Sequence, residues 1–353
     1  MKPVLVTDGG NGQNRSALAA VRALGAAGHQ VHVTTTQFAS VSAWSRHCQR
    51  GIATPAVTSP DYVSAVRQLM REHDYLAVFP ASDAALLALQ WPGSHLVHKT
   101  EVARAAQRAG FQGTVDLTYA DGEALLEHAE DLPYPVAVKA DAKHATSSFG
   151  VWRADKPEDL CPAMSLPGPF VIQAWIPGTM RAATGVVWDG ELLAVAHQEY
   201  LRTWPRECGV ASAAITTEPD LEVEDRLPGL LEGHNGIFQV QLIGAHVIDI
   251  NPRVYGSLPL ALRAGLNLPD IVCRLSRGAP RPGGKLRAKA GVRYRWLEGD
   301  IRHLIEGVKH RELRSAEAAK ALRPLPATAH GDVSITDPAP SLARLLYASR
   351  AWR

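Results

Sequence analysis

The chain has 353 residues, 46% hydrophobic and 20% charged, the make-up of a packed globular protein with room for two or three compact units. A formal net charge of +2 excludes the strong field expected of a nucleic-acid or anionic-membrane binder. No uninterrupted apolar stretch approaches the roughly 20 residues that span a bilayer, and residues 1–7 reach a glycine turn too early for a signal peptide. Cys48, Cys161, Cys208 and Cys273 match no metal or redox spacing and read as reduced thiols of a cytoplasmic protein.

In chain order, short apolar runs first alternate with amphipathic stretches. Strands are predicted at 4–7, 30–35 and 76–79, and helices at 16–27 and 62–73, which together specify a parallel, doubly wound sheet. Pro92-Gly93 marks a boundary near residue 95, after which 98–110 reads as a helix. The rhythm then changes. Strands are expected at 136–140 and 170–176, with a small, polar segment at 141–150 between them. Two hairpins follow, one over 183–196 around Asp189-Gly190 and one over 237–251 around Gly244. Antiparallel pairs without crossover helices imply a separate α+β unit. The tail from about 290 mixes basic helical segments with Pro-rich links.

The turn Asp8-Gly9-Gly10-Asn11-Gly12-Gln13 lies between a strand and a helix, a context that suits an anion. A dinucleotide site needs a third glycine where Arg15 stands. It also needs an acid after the second strand, where Thr34, Thr35 and Thr36 stand, so NAD is not expected. The turn reads first as a close helix–strand contact and second as a substrate site.

Chemistry concentrates in three segments. Asp249 and Asn251 sit two apart on one strand and leave the same face, and Gln241 on the partner strand can share it. Three oxygen donors from two strands suit Mg²⁺, and Arg253 beside them can hold a phosphate oxygen with two donors. Apolar Ile248 and Ile250 face the other way. In Tyr134-Pro135-Val136-Ala137-Val138-Lys139-Ala140, Lys139 is a charge in an apolar strand, for which a polyphosphate is a natural partner and an edge strand the plain alternative. The following His144–Gly150 segment, with Ser147 and Ser148, has backbone N–H groups able to close over phosphates. Phe170 to Gly178 is an apolar strand ending in Pro-Gly, either ordinary core or a hinge on which a flat base stacks.

Taken in order, these segments resemble the ATP-grasp superfamily. Val240-Gln241-Leu242 followed by Ile248-Asp249-Ile250-Asn251-Pro252-Arg253 looks most like carbamoyl-phosphate synthetase and related ligases. The resemblance covers about residues 1–275. It implies an α/β N-terminal domain with a Rossmann-like parallel sheet (1–95) followed by an α+β ATP-grasp domain (96–285). Within the latter, a lid subdomain would span about 115–178 and a metal-binding subdomain about 179–285, and 286–353 would pack on the core. It also implies that Lys99 and Lys139 contact the ATP phosphates with Ser147 and Ser148 beside them. Gln173, Ala174, Trp175 and Ile176 would line the adenine site. Gln241, Asp249 and Asn251 would hold Mg²⁺, with Mn²⁺ an alternative, and Gln241 would also touch the nucleotide. Arg253 and Lys139 would act on the transferring phosphoryl group. Asp249 departs from the family's usual glutamate, and Ala174 stands where an acid is common.

The activity implied is an ADP-forming carboxylate–amine ligase that works through an acyl-phosphate on small acid and amine substrates of amino-acid type, with no nucleic acid or membrane partner and a homodimer left open. A synthetase with a non-amine acceptor and a non-catalytic nucleotide-binding module remain the alternatives. Arg181, Arg202 and Arg206 hint at an anionic substrate, with solvated surface arginines the equal reading.

Overall fold

Val4 and Val6 share one face of the first strand, Leu5 takes the other, and all three are fully buried. A strand buried on both faces needs a sheet covered on both sides, as in parallel α/β folds. The computed structural model describes residues 2–8, 14–36, 40–114, 116–142 and 150–351. Strands β1 (Val4–Thr7), β2 (Val31–Thr35), β3 (Arg50–Ala53) and β4 (Ala77–Pro80) form a parallel sheet in the order β3-β2-β1-β4. Helix α1 (Arg15–Ala26) packs on the Val4 and Val6 face. Residues of α2 (Tyr62–His73) and α3 (Asp83–Ala88) cover Leu5 from the other side. The α1 helix starts one residue earlier than predicted because the Asn14 side chain accepts the Ala17 N–H at 3.0 Å and caps it.

A second sheet is antiparallel, in the order β5-β8-β6-β7, from β5 (Asp116–Tyr119), β6 (Val136–Ala140), β7 (Trp152–Ala154) and β8 (Phe170–Ala174). The β8 strand is two residues shorter than predicted. One further bond in register, Trp175 N–H to Pro135 O at 2.9 Å, ends the ladder, and Pro177 has no donor to continue it. Because β6 lies between β7 and β8, Lys139 is not on an edge strand.

The third sheet has eight strands: β9 (Met180–Trp188), β10 (Glu191–Trp204), β11 (Val210–Thr216), β12 (Gly236–Ile243), β13 (His246–Asn251), β14 (Leu286–Arg287), β15 (Arg293–Arg295) and β16 (Ala329–His330). They run β13-β12-β9-β10-β11-β15-β16, with β14 beside β10. Both expected hairpins are present. One face of this sheet packs Val187, Val195, Phe238, Val240 and Ile250 against Val102, Ala106 and Leu227 of the helices Lys99–Arg108 and Leu221–Leu230. Residues 286–353 supply three strands to the sheet, and arginines fasten them. The Asp300 carboxylate, fully buried, meets Arg202 and Arg295, and Asp337 meets Arg22.

A second charged knot joins β10, the helix Leu221–Leu230 and the segment before β15. Glu224, whose side chain has no exposure, receives Lys285 at 2.9 Å, Arg287 at 2.7 Å and His197 at 3.3 Å. Burial alone would raise its carboxyl, but hydrogen bonds from Arg287 and Lys285 outweigh it and hold the pKa at about 2, against an ordinary 4.5. A carboxylate depressed in the folded state stabilises fully above pH 4.5, and that stabilisation is lost as pH falls towards about 2. Replacing Glu224 by Gln is expected to cost roughly 1.5–3 kcal/mol at neutral pH. It should also flatten the acid limb of stability below pH 4.5, measured by urea unfolding across pH; an unchanged acid limb would contradict the assignment.

Candidate active site

The antiparallel register of β12 and β13 sets Gln241 opposite Asp249 and Gln239 opposite Asn251. Alternation then sends all four side chains to one face, while Ile250 enters the core. Ile248 differs from expectation. It stays at the cleft wall, and its carbonyl accepts Lys139 Nζ at 3.0 Å. That bond ties the β6 strand of the second sheet to β13 of the third. Lys139 is 6% exposed and also donates to Gln173 Oε1. Gln173 is held in turn by its amide donating to Thr114 at 2.9 Å.

Lys99, at the start of the helix Lys99–Arg108, reaches Asp249 Oδ1 at 2.6 Å and Val97 O at 3.1 Å. It is 8% exposed. Burial works against its charge, yet Asp249, Asp83 and Asp141 together hold its pKa above the ordinary lysine value. Asp141 is aligned by His98 at 2.8 Å. Arg253 is braced at three points: Nε on Asp83 at 2.6 Å, Nη2 on Asn251 Oδ1 at 2.8 Å and Nη1 on Val254 O at 2.9 Å.

These residues line one cleft of about 290 Å³ between the second and third sheets. Lys99, Lys139, Gln173, Ala174, Trp175, Ile176, Gln241, Asp249, Asn251 and Arg253 all contribute to its wall. Trp175 carries the Arg153 guanidinium over its ring at 5.1 Å. Of the expected phosphate loop His144–Gly150, only Gly150 is among the described residues, and it lines the cleft; Ser147 and Ser148 lie outside them, as do residues 9–13 of the glycine turn. Arg181, Arg202 and Arg206 are not in the cleft wall. They pair with Asp220, Asp300 and Glu312, respectively.

Several lining residues were missed in the sequence. Gln239 follows from the same-face rule carried one step beyond Gln241; its amide reaches Tyr200 and Ser257, each at 3.3 Å. Asp83, Arg15, Tyr200 and the Glu207–Val210 turn carry no local signal, because only the tertiary fold brings them in. Burial raises the Cys208 thiol to about 11, so no thiolate faces the cleft at neutral pH.

As a donor set for a cation, Asp249, Asn251 and Gln241 present hard oxygens from two paired strands. A single carboxylate with two amide oxygens fits Mg²⁺ that completes its shell with water and phosphate oxygens. Lys99 occupies Oδ1 of Asp249, the Asn251 amide donates to its Oδ2 at 3.4 Å and Arg253 donates to Asn251 Oδ1, so a metal held here would share these oxygens or displace those donors.

This arrangement of sheets is the ATP-grasp fold. No family model and no curated protein sequence matches the chain. Among solved structures, the chain is similar to an L-amino acid ligase from Bacillus licheniformis, at 18% identity over 78% of this chain and 74% of that one, TM-score 0.58. It is similar to N5-carboxyaminoimidazole synthetase from Staphylococcus aureus complexed with ADP, at 14% identity over 83% and 80%, TM-score 0.64. It is also similar to the biotin carboxylase domain of 2-oxoglutarate carboxylase from Hydrogenobacter thermophilus, crystallised with MgADP and bicarbonate, at 17% identity over 81% and 71%, TM-score 0.56.

The Lys99–Asp249 pair also carries stability. Asp249→Ala leaves a buried ammonium without its carboxylate and is expected to lower stability by about 3–5 kcal/mol. Adding Lys99→Met to that variant should restore much of the loss. A double-mutant cycle by urea unfolding measures the coupling; simple additivity would show that the pair does not interact in solution.

Proposed function

We propose that the chain is an ATP-dependent carboxylate–amine ligase that works through an acyl-phosphate and releases ADP and phosphate. The observation that carries this reading is the convergence, in one cleft, of the cations Lys139 and Arg253 with the oxygen donors Asp249, Asn251 and Gln241. The fold shared with ligases crystallised with ADP supports it. On this reading residues 1–95 form the Rossmann-like domain, 96–285 the ATP-grasp domain and 286–353 a segment completing its sheet.

A carboxylate will not exchange its oxygen for an amine unaided, because oxide is too poor a leaving group. The substrate carboxylate oxygen attacks the γ-phosphorus of ATP, the bond to the β-phosphate oxygen breaks, and ADP departs. The amine then attacks the acyl carbon, phosphate leaves, and the amine proton passes to solvent. Ala174, Trp175 and Ile176 bound the adenine end of the cleft, and Lys139 neutralises the phosphates. Mg²⁺, when held by Asp249, Asn251 and Gln241, would add charge neutralisation at the transferring group. Arg253, braced by Asp83 and Asn251, keeps its donors fixed where charge builds, so little reorganisation is needed in the transition state.

The nucleotide product tests this reading. With ATP and a panel of acids and amines, the enzyme should release ADP, and hydroxylamine should trap a hydroxamate from the acid in the absence of the amine. Lys139→Met should lower both by at least about a hundredfold. AMP as the product would overturn the mechanism, and ADP release with no hydroxamate would favour a phosphorylated acceptor other than a carboxylate. The donor set has its own test: Asn251→Ala should weaken ADP binding at limiting Mg²⁺ by about tenfold or more, with less effect at saturating Mg²⁺. An unchanged Mg²⁺ dependence would remove Asn251 from the set.

A further inference from the structure

Arg15, the residue that breaks the dinucleotide glycine pattern, opens α1 at the wall of the cleft. Its guanidinium lies over the Trp296 ring at 3.7 Å and donates from Nη1 to Tyr294 OH at 3.2 Å. Tyr294 OH donates to Gly256 O at 3.1 Å. The guanidinium packs against Gly256, where an added Cβ would lie 3.4 Å from Cζ and Nη2. Ring, phenol and backbone therefore fix the plane of the group.

The other arginines in this part of the molecule are neutralised. Arg253 has Asp83, Arg22 has Asp337, and Arg202 and Arg295 share Asp300. Among the described residues Arg15 has no carboxylate partner. A stacked guanidinium keeps its in-plane donors available, and two of them match a carboxylate in fork geometry. Gly256, against which the guanidinium packs, comes three residues after Arg253, and Arg15, Arg253 and Gly256 all line the same cleft.

We propose that Arg15 is a specificity-determining residue that grips a substrate carboxylate other than the one being activated. The inference rests on reading the cleft as a ligase site. That second carboxylate has two sources: the α-carboxylate of an amino acid serving as the amine, or the far carboxyl of a dicarboxylic acid. A purely structural role, in which Arg15 pins α1 to the tail, would need no ligand.

The test is calorimetric titration of the full chain, with and without MgADP, by four probe sets: the proteinogenic L-amino acids, their carboxamides, the aliphatic dicarboxylates from malonate to glutarate, and the monocarboxylic acids of matching length. At least one amino acid or dicarboxylate is expected to bind, while the matching amide or monoacid does not. An amino acid would identify the α-carboxylate as the source, and a dicarboxylate the acid's far carboxyl. In Arg15→Met that affinity should fall by at least about tenfold with MgADP binding retained, and Arg15→Lys, which keeps charge but loses the fork, should fall between. The proposal is overturned if no carboxylate probe binds the wild-type chain, if amides bind equally, or if Arg15→Met binds as wild type does. Thermal unfolding of the variants separates lost binding from lost folding. Failure of the wild-type chain to bind MgADP would count against the ligase reading, and the anion titrations without nucleotide would still decide the role of Arg15.

Discussion

Two lysine ammonium groups removed from water organise the cleft. Taking such a group out of water costs several kcal/mol unless oxygen atoms are fixed around it. Lys139 obtains its oxygens from Gln173 in its own sheet and from the Ile248 carbonyl in another. Lys99 obtains Asp249 on that same β13 strand. The Lys139 requirement is met only when the second and third sheets close to one particular distance, and the Lys99 requirement fixes the helix Lys99–Arg108 against β13. The charges thus hold the sheets in register, and the cleft between them is the space that remains. Because the partner of Lys99 also belongs to the metal-binding set proposed here, stability and activity are drawn from the same carboxylate.

Much of this was legible in the sequence where the relevant residues are close together in the chain. Asp249, Asn251 and Arg253 lie within five positions, and period-two alternation decides their face without tertiary knowledge. Lys139 stood out because an apolar strand cannot hide a charge cheaply. The legible part stops where partners come from afar. Asp83 and Arg253 are 170 residues apart, and no local pattern joins them. The pattern ends the first hairpin at 196, but its second strand, β10, runs Glu191–Trp204. His197 and Gln198 in its middle look like solvent residues, yet both are buried, one beside Glu224 and the other beside Ser257. Strands of two or three residues in the tail have no period to detect, so their place in the third sheet could not be foreseen.

A common pattern runs through the buried acids. Glu224, Asp300 and Asp337 each sit among two or more cationic or hydroxyl donors from separate parts of the chain. Each knot joins the region from residue 285 onward to a part of the fold earlier in the chain. Apolar area alone would hold so short a set of strands weakly; multidentate arginine contacts give them a fixed seat.

The backing of Arg15 by Tyr294 has a consequence for how the cleft is assembled. The two residues are 279 positions apart. Closing a loop that long costs about 3 kcal/mol more entropy than closing a ten-residue one, by the logarithmic law for flexible chains. Contacts of such range form late, once nearer pairings have shortened the effective separation. The lysine knots, built on β6, β13 and the helix Lys99–Arg108, are more local and can form first. The wall backing Arg15 therefore needs a residue 279 positions further along, and the cleft is incomplete until that part of the chain has been made and has folded back.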